Sequence, residues 1–399
     1  MTHDGAHFAG AVVLAAVALG TAGCVGKSKT EESDAASGTR LAEAAARAPA
    51  SWIDGDAAAV AKAAGHDGGG DAAADPTVTA ERGKTLYGKY CYFCHGSEGH
   101  GYAADEAPAI GNDDLLAIAS DDYLANAIFK GRPGTTMSSW ALIRGGPLGW
   151  NDAQAIVAHL RTWQKRPSES VDARKVSGDA TRGAATYAAH CAGCHGVKGV
   201  GGKYASLANP ELLAAASDGF LATTIERGRT GTPMTAYAGK LSKEAIEDVV
   251  ALVRSWQRPP DEMPELPPKP GALTAVVLNP RGPQPAFEAK ADFIPADTVK
   301  REVVDRKATA IIIDARPPSD YARMHVAGSI SVPFYQVAEF AKQIPKDRYI
   351  LTYCACPHAE SVKVRDALRG LGYTRVAVID EGMLAWRDRG YPVRGGAKP

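Results

Sequence analysis

Seven cysteines in a chain of 399 residues fall into four groups, and two of them share a pattern. Cys91-Tyr92-Phe93-Cys94-His95 and Cys191-Ala192-Gly193-Cys194-His195 both read C-x-x-C-H. Two thiols three residues apart on a helical turn can each add to one vinyl group of a porphyrin. The histidine that follows is then positioned under the iron as its proximal ligand. A bare C-x-x-C also suits zinc or a redox dithiol. Here both copies carry the trailing histidine, and neither has the second cysteine pair of a zinc ribbon. The pattern predicts two covalently bound haem c groups, held by Cys91 and Cys94, and by Cys191 and Cys194, with His95 and His195 on the two irons. The opposite iron ligand is sought in Met137, 43 residues after Cys94, and Met234, 40 residues after Cys194. In the second copy no histidine follows His195 until the C-terminal region, whereas the first copy also offers His100 and His159. His159 is expected to face solvent from a closing helix. Thioether ligation raises the reduction potential relative to two histidines.

The elements that must position these residues repeat as well. Arg82-Gly83-Lys84-Thr85-Leu86-Tyr87 and Arg182-Gly183-Ala184-Ala185-Thr186-Tyr187 precede the two motifs at one interval. Lys130-Gly131-Arg132-Pro133-Gly134-Thr135-Thr136-Met137 is answered by Arg227-Gly228-Arg229-Thr230-Gly231-Thr232-Pro233-Met234, and 155–163 by 246–256. This region resembles two class I c-type cytochrome domains in tandem, over roughly residues 80–165 and 178–258. The resemblance implies small all-α folds whose first and last helices cross near the haem edge. Gly83 and Tyr87 would meet Leu160 and Trp163, and Gly183 and Tyr187 would meet Val253 and Trp256. It also implies that a proline after the motif supplies a carbonyl to the proximal histidine, a place Pro108 fills. The second copy reads Tyr204-Ala205-Ser206-Leu207 there, so its carbonyl bond lacks the usual residue and the two potentials are expected to differ.

The remaining pair, Cys354 and Cys356, lies in a different setting. Residues 310–313, 349–352 and 376–379 are β-branched or apolar runs, and 362–370 reads as a helix, an order that suggests a parallel α/β sheet. Asp314-Ala315-Arg316, Met324-His325-Val326-Ala327-Gly328-Ser329-Ile330, Glu381-Gly382-Met383-Leu384-Ala385-Trp386 and Gly390-Tyr391-Pro392-Val393 make the segment similar to a rhodanese domain. The resemblance implies that Cys354 ends the central strand, attacks a sulfane sulfur donor and becomes a persulfide. The loop Cys354-Ala355-Cys356-Pro357-His358-Ala359-Glu360-Ser361 departs from the pattern by being one residue longer and lacking its basic residue. A rhodanese-like phosphatase would need arginine where Glu360 stands, and a carboxylate there repels a phosphate dianion. Cys356 is a candidate resolving thiol, and His358 a candidate for lowering the thiol pKa or shuttling a proton. Sulfur transfer, dithiol redox chemistry and a non-catalytic docking module all remain open readings.

The seventh cysteine, Cys24, follows a short apolar stretch over 9–20 and the run Leu19-Gly20-Thr21-Ala22-Gly23, which resembles a lipoprotein signal with Cys24 acylated. Residues 25–80 are rich in Ala, Gly, Asp and Ser and read as a tether. Residues 259–285 hold nine prolines and read as a stiff extended spacer. The resulting division is a signal over 1–23, a tether over 24–79, all-α cytochrome c domains over 80–167 and 175–258, a proline-rich linker over 259–287, and an α/β rhodanese-like domain over 288–399. Balanced charge, 45 basic against 45 acidic side chains, argues against nucleic acid as the main partner. The expected protein is an exported dihaem cytochrome on the periplasmic side, anchored to a membrane through lipid. Its expected partners are redox proteins and a sulfane-sulfur small molecule; the alternative is a pure electron carrier or a complex subunit.

Overall fold

The computed structural model describes residues 76–101, 107–260, 262–288, 290–355 and 358–399. Cys24, the signal and nearly all of the tether lie outside them, as does Cys356. The first copy runs α1 (Pro76–Tyr90), the single turn α2 (Tyr92–His95), α3 (Asp113–Ile118), α4 (Asp121–Lys130) and α5 (Trp150–Arg161). The second repeats this as α6 (Ala180–His190), α7 (Ala192–His195), α8 (Pro210–Ala215), α9 (Asp218–Arg227) and α10 (Lys243–Ser255). The short helices start where a polar side chain accepts from the backbone N–H groups of their first turn. Asn112 and Ser120 do this for α3 and α4, and Asn209 and Ser217 for α8 and α9.

Glycine lets the long helices cross closely. A Cβ on Gly83 would lie 1.8 Å from the Ala155 carbonyl oxygen, and one on Gly183 would lie 2.1 Å from that of Asp248. At these crossings Tyr87 meets Trp163 edge-to-face with centroids 5.1 Å apart, and Tyr187 meets Trp256 at 5.0 Å. Arg82 pairs with Asp152 and Arg182 with Asp248, one ion pair per crossing. His159 corrects the expectation of a solvent-facing side chain. It is 7% exposed, and its ring packs against Tyr87 and Trp163.

The C-terminal domain is built on five parallel strands in the order β1 (Phe293–Ile294), β6 (Val376–Ile379), β5 (Ile350–Tyr353), β2 (Ile311–Asp314), β4 (Ile330–Ser331). The three longer strands are wholly buried, as a parallel sheet covered on both faces requires. Alternation divides them between two cores, with Ile311, Ile313 and Ile350 facing one and Ile312, Leu351 and Tyr353 the other. A small antiparallel pair, β3 (His325–Val326) and β7 (Val393–Arg394), closes one end. Helix α11 (Ala296–Val299) runs on into a π-helical turn over Lys300–Asp305. Further helices are α12 (Pro318–Arg323), α13 (Val337–Ala341), α14 (Ala359–Gly370) and α15 (Gly382–Asp388).

The proline-rich segment is not a free spacer along its whole length. Leu273, Val276 and Val277 pack on one core of the sheet, and Leu278 exchanges backbone hydrogen bonds with Ala310 at 2.8 and 3.2 Å. Among the described residues no helix is long and apolar enough to cross a membrane.

Candidate functional site

Each C-x-x-C-H motif is one helical turn at the end of a longer helix, which fixes where its thiols and its imidazole go. Tyr87 donates its hydroxyl to the Gly96 carbonyl at 2.6 Å, and Tyr187 does the same to Gly196 at 2.8 Å. The turn is thereby tied to the middle of the preceding helix. His95 donates Nδ1–H to the Pro108 carbonyl at 2.9 Å, as expected from Pro108. In the second copy the missing proline does not cost the bond, because the Ala205 carbonyl accepts from His195 Nδ1 at 2.8 Å. A backbone carbonyl can only accept, so both rings carry the proton on Nδ1 and present Nε2 as the lone-pair donor. Burial holds both histidines below their ordinary pKa and so favours the neutral ligating form.

The thiols point the same way. Burial pushes Cys91 up to about 12 and Cys191 up to about 11, opposite to the lowered pKa that a redox dithiol needs. Among the described residues no three His, Cys, Asp or Glu side chains gather as a metal site. A neutral histidine with a fixed tautomer beside two unbridged thiols fits covalent haem with one axial imidazole.

The methionine loops match bond for bond. Arg132 N–H donates to the Met137 carbonyl at 2.7 Å, and Arg229 N–H donates to that of Met234 at 2.7 Å. Thr135 and Thr232 hydroxyls donate to the Arg132 and Arg229 carbonyls and accept from the Met137 and Met234 N–H groups. The competitor His100 is exposed and pairs with Glu98 at 3.1 Å.

Cys354 follows β5 directly and is buried, with Sγ 3.4 Å from the Ser361 hydroxyl in α14. Its carbonyl accepts from Met383 N–H at 2.8 Å, so the start of α15 fixes the strand end. The frame beneath it is ionic. The Arg316 guanidinium donates two hydrogen bonds to Asp314, at 2.9 and 2.6 Å, and Tyr353 donates its hydroxyl to the same carboxylate at 2.8 Å. His358 stands at the other end of the same loop. It begins α14 with a left-handed φ of 85° and bonds Asp380 through Nε2 at 2.6 Å. Burial, then the neighbouring Cys354 and Asp320 charges, pushes the Glu360 carboxyl well above the usual carboxylate range.

Sequence reasoning did not bring the two kinds of site together; the fold does. Lys363 of α14 lies 3.7 Å from the ring centroid of Phe93, inside the first haem motif, and donates to the Lys89 carbonyl at 3.1 Å. Phe93 and Cys94 pack on the core cluster that contains Cys354. Tyr335 donates to the Gly145 carbonyl at 2.6 Å, Phe334 and Tyr335 meet Tyr90, and Asp320 hydrogen-bonds Ser138, the residue after Met137. In the second copy Cys194 is exposed, where Cys94 of the first is half-buried. The aromatic pair Tyr92-Phe93 in the first motif was the available advance signal, since the second motif carries Ala192 and Gly193 there.

This geometry agrees with comparison to known proteins. Residues 78–160 and 178–253 match the family described as cytochrome C oxidase, cbb3-type, subunit III, and residues 296–389 match the rhodanese-like domain family. The chain belongs to the rhodanese-like family through its C-terminal domain, which cytochrome c domains precede. The HTH-type transcriptional regulator Rv0324 of Mycobacterium tuberculosis is 34% identical over 27% of this chain and 50% of its own length. The cbb3-type cytochrome c oxidase subunit FixP of Bradyrhizobium diazoefficiens is 28% identical over 46% of this chain and 64% of its own. The chain thus spans less than two thirds of either. The thiosulfate sulfurtransferase GlpE of Pseudomonas entomophila is 33% identical over 22% of this chain and 78% of its own length.

Proposed function

We propose that the chain is an exported two-haem cytochrome c that carries electrons, with a C-terminal domain that handles sulfane sulfur as a Cys354 persulfide. The observation that carries the haem reading is the repeated imidazole-to-carbonyl bond, made by Pro108 in one copy and by Ala205 in the other. Haem supplies one-electron chemistry at its iron when bound. The chain's own part is to hold His95 and His195 in one tautomer and to offer Met137 and Met234 from loops of fixed shape. Cys91, Cys94, Cys191 and Cys194 make the attachment. At Cys354 the thiolate attacks the outer sulfur of a donor R–S–S⁻. A new S–S bond forms to Cys354, the donor's S–S bond breaks, and R–S⁻ leaves. Cys356 and His358 are the loop's further candidates, Cys356 as a resolving thiol. In this reading Cys24 carries a lipid that holds the protein at the periplasmic face of a membrane, and its electron-exchange partners are redox proteins.

Seating of the C-terminal domain on the first haem motif favours a joint role over a detached docking module. The test is persulfide trapping on Cys354 together with a haem spectrum taken with and without polysulfide. Wild type should show labelled sulfur on Cys354 and haem reduction, and Cys354→Ser neither. Unlabelled Cys354 and haems unchanged by the donor in both proteins would leave a plain electron carrier. Intact mass should show two haem additions, and one when Cys191 and Cys194 are replaced by alanine.

A further inference from the structure

The contact between the two cytochrome domains is built from the same residues of each copy, facing one another. Asn112 accepts from Leu115 N–H with Oδ1, which caps α3, and donates from Nδ2 to the Thr230 carbonyl at 2.9 Å. Thr230 stands four residues before Met234. Asn209 accepts from the Glu211 and Leu212 N–H groups with Oδ1, which caps α8, and donates from Nδ2 to the Pro133 carbonyl at 2.9 Å. Pro133 stands four residues before Met137. Between them Tyr123 and Phe220, themselves equivalent, pack with centroids 4.6 Å apart, under Arg132 and Arg229 respectively.

The arrangement departs from two-fold symmetry where Thr230 answers Pro133, and the chemistry explains it. Asp114 accepts from Thr230 N–H at 2.6 Å, but proline has no N–H to offer at 133. Glu211 instead takes Arg144, which follows the Met137 loop, at 3.1 Å.

Resting on the two-haem reading above, we propose that the cytochrome domains brace each other's methionine loops. Asn209 is a positioning residue for the iron ligand Met137 of the first domain, and Asn112 is one for Met234 of the second. Each asparagine thus acts across the interface, while its Oδ1 serves its own helix. A loop that loses its brace samples more conformations, and the thioether that it presents binds iron less tightly.

The amide's two atoms separate the two duties. Asn209→Ser keeps an accepting oxygen for the α8 cap, where serine is as good as asparagine, and removes the donor to Pro133. The experiment is a potentiometric titration of the holoprotein, after intact mass has confirmed two haems. Met137→His and Met234→His proteins assign the two components of the curve. Asn209→Ser should shift the first-domain component by about two- to tenfold in its reduction equilibrium constant, the size of one neutral hydrogen bond, and leave the second in place. Asn112→Ser should do the reverse. A shift in the component of the mutated domain itself, equal shifts in both, or none in either would overturn the brace. A single haem addition, or no change in any component in the Met→His proteins, would instead remove the two-haem reading and the brace with it.

Discussion

Gly83→Ala measures how closely the cytochrome helices must approach for the haem motif to be held. The new Cβ would lie 1.8 Å from the Ala155 oxygen and 2.4 Å from its carbonyl carbon, both backbone atoms that cannot rotate aside. Restoring an ordinary contact requires α1 and α5 to part by about 1.6 Å, which loosens Leu86, Tyr87, Ile156 and Leu160 together. Overpacking of this kind costs about 1–3 kcal/mol, and a backbone obstacle puts it at the upper end. Alanine in a helix interior returns about 1 kcal/mol of intrinsic propensity. The net loss is about 2 kcal/mol, which for a domain of this size lowers Tm by roughly 8–16 °C. The assay is thermal unfolding of the holoprotein followed at the haem absorption, with Gly370→Ala as control, since a Cβ there meets nothing within 4 Å. A Gly83→Ala protein as stable as wild type would refute the close crossing.

Other outcomes follow from individual contacts. Tyr187→Phe removes the hydroxyl bond to Gly196 and should cost about 1 kcal/mol in the second domain, read as a lower urea midpoint at the haem absorption. Asp314→Asn leaves the Arg316 guanidinium buried without its carboxylate and should destabilise the C-terminal domain by about 3–5 kcal/mol in urea. Glu360 is raised in the folded chain by burial and by its Cys354 and Asp320 neighbours. Its contribution to stability is therefore full below its unfolded pKa of about 4.3 and is lost as pH rises through the higher folded value. Glu360→Gln should flatten that decline in urea midpoints taken across pH, and an unchanged slope would assign the decline to another group.

Local chemistry was the readable part of this chain. The haem motifs, the methionine loops and the three long strands each sit within a few residues of their own signals. They appear where spacing and β-branched runs placed them. The strands β1 and β4 went unread because two residues carry no period. His159 misled because a polar residue on a closing helix reads as exposed, whereas Gly83 lets α1 ride so close that Tyr87 and Trp163 enclose its ring. Pro108 was found by its residue type, and Ala205 was not, since any residue can lend a carbonyl. The braces and the docking of Lys363 on Phe93 join residues 76 or more positions apart, and no local pattern announces such contacts. Asn112 and Asn209 did stand at matched places in the repeat, and the shared asparagine was the one clue available.

The proline-rich segment has a further consequence once its later part is seen to lie against the sheet. Gly271 N–H already bonds the Gln343 side chain at 2.7 Å, so the covalent link from Trp256 to the docked chain is only about fifteen residues. Fully drawn out, such a link spans at most roughly 50 Å. A domain on so short a leash meets the first cytochrome domain at an effective concentration on the order of millimolar, without any dependence on how dilute the protein is. Contacts too weak to hold two separate proteins together are then enough to keep Cys354 beside the first haem motif. Cutting the chain between the second and third domains would dissolve that association while leaving every contact residue in place.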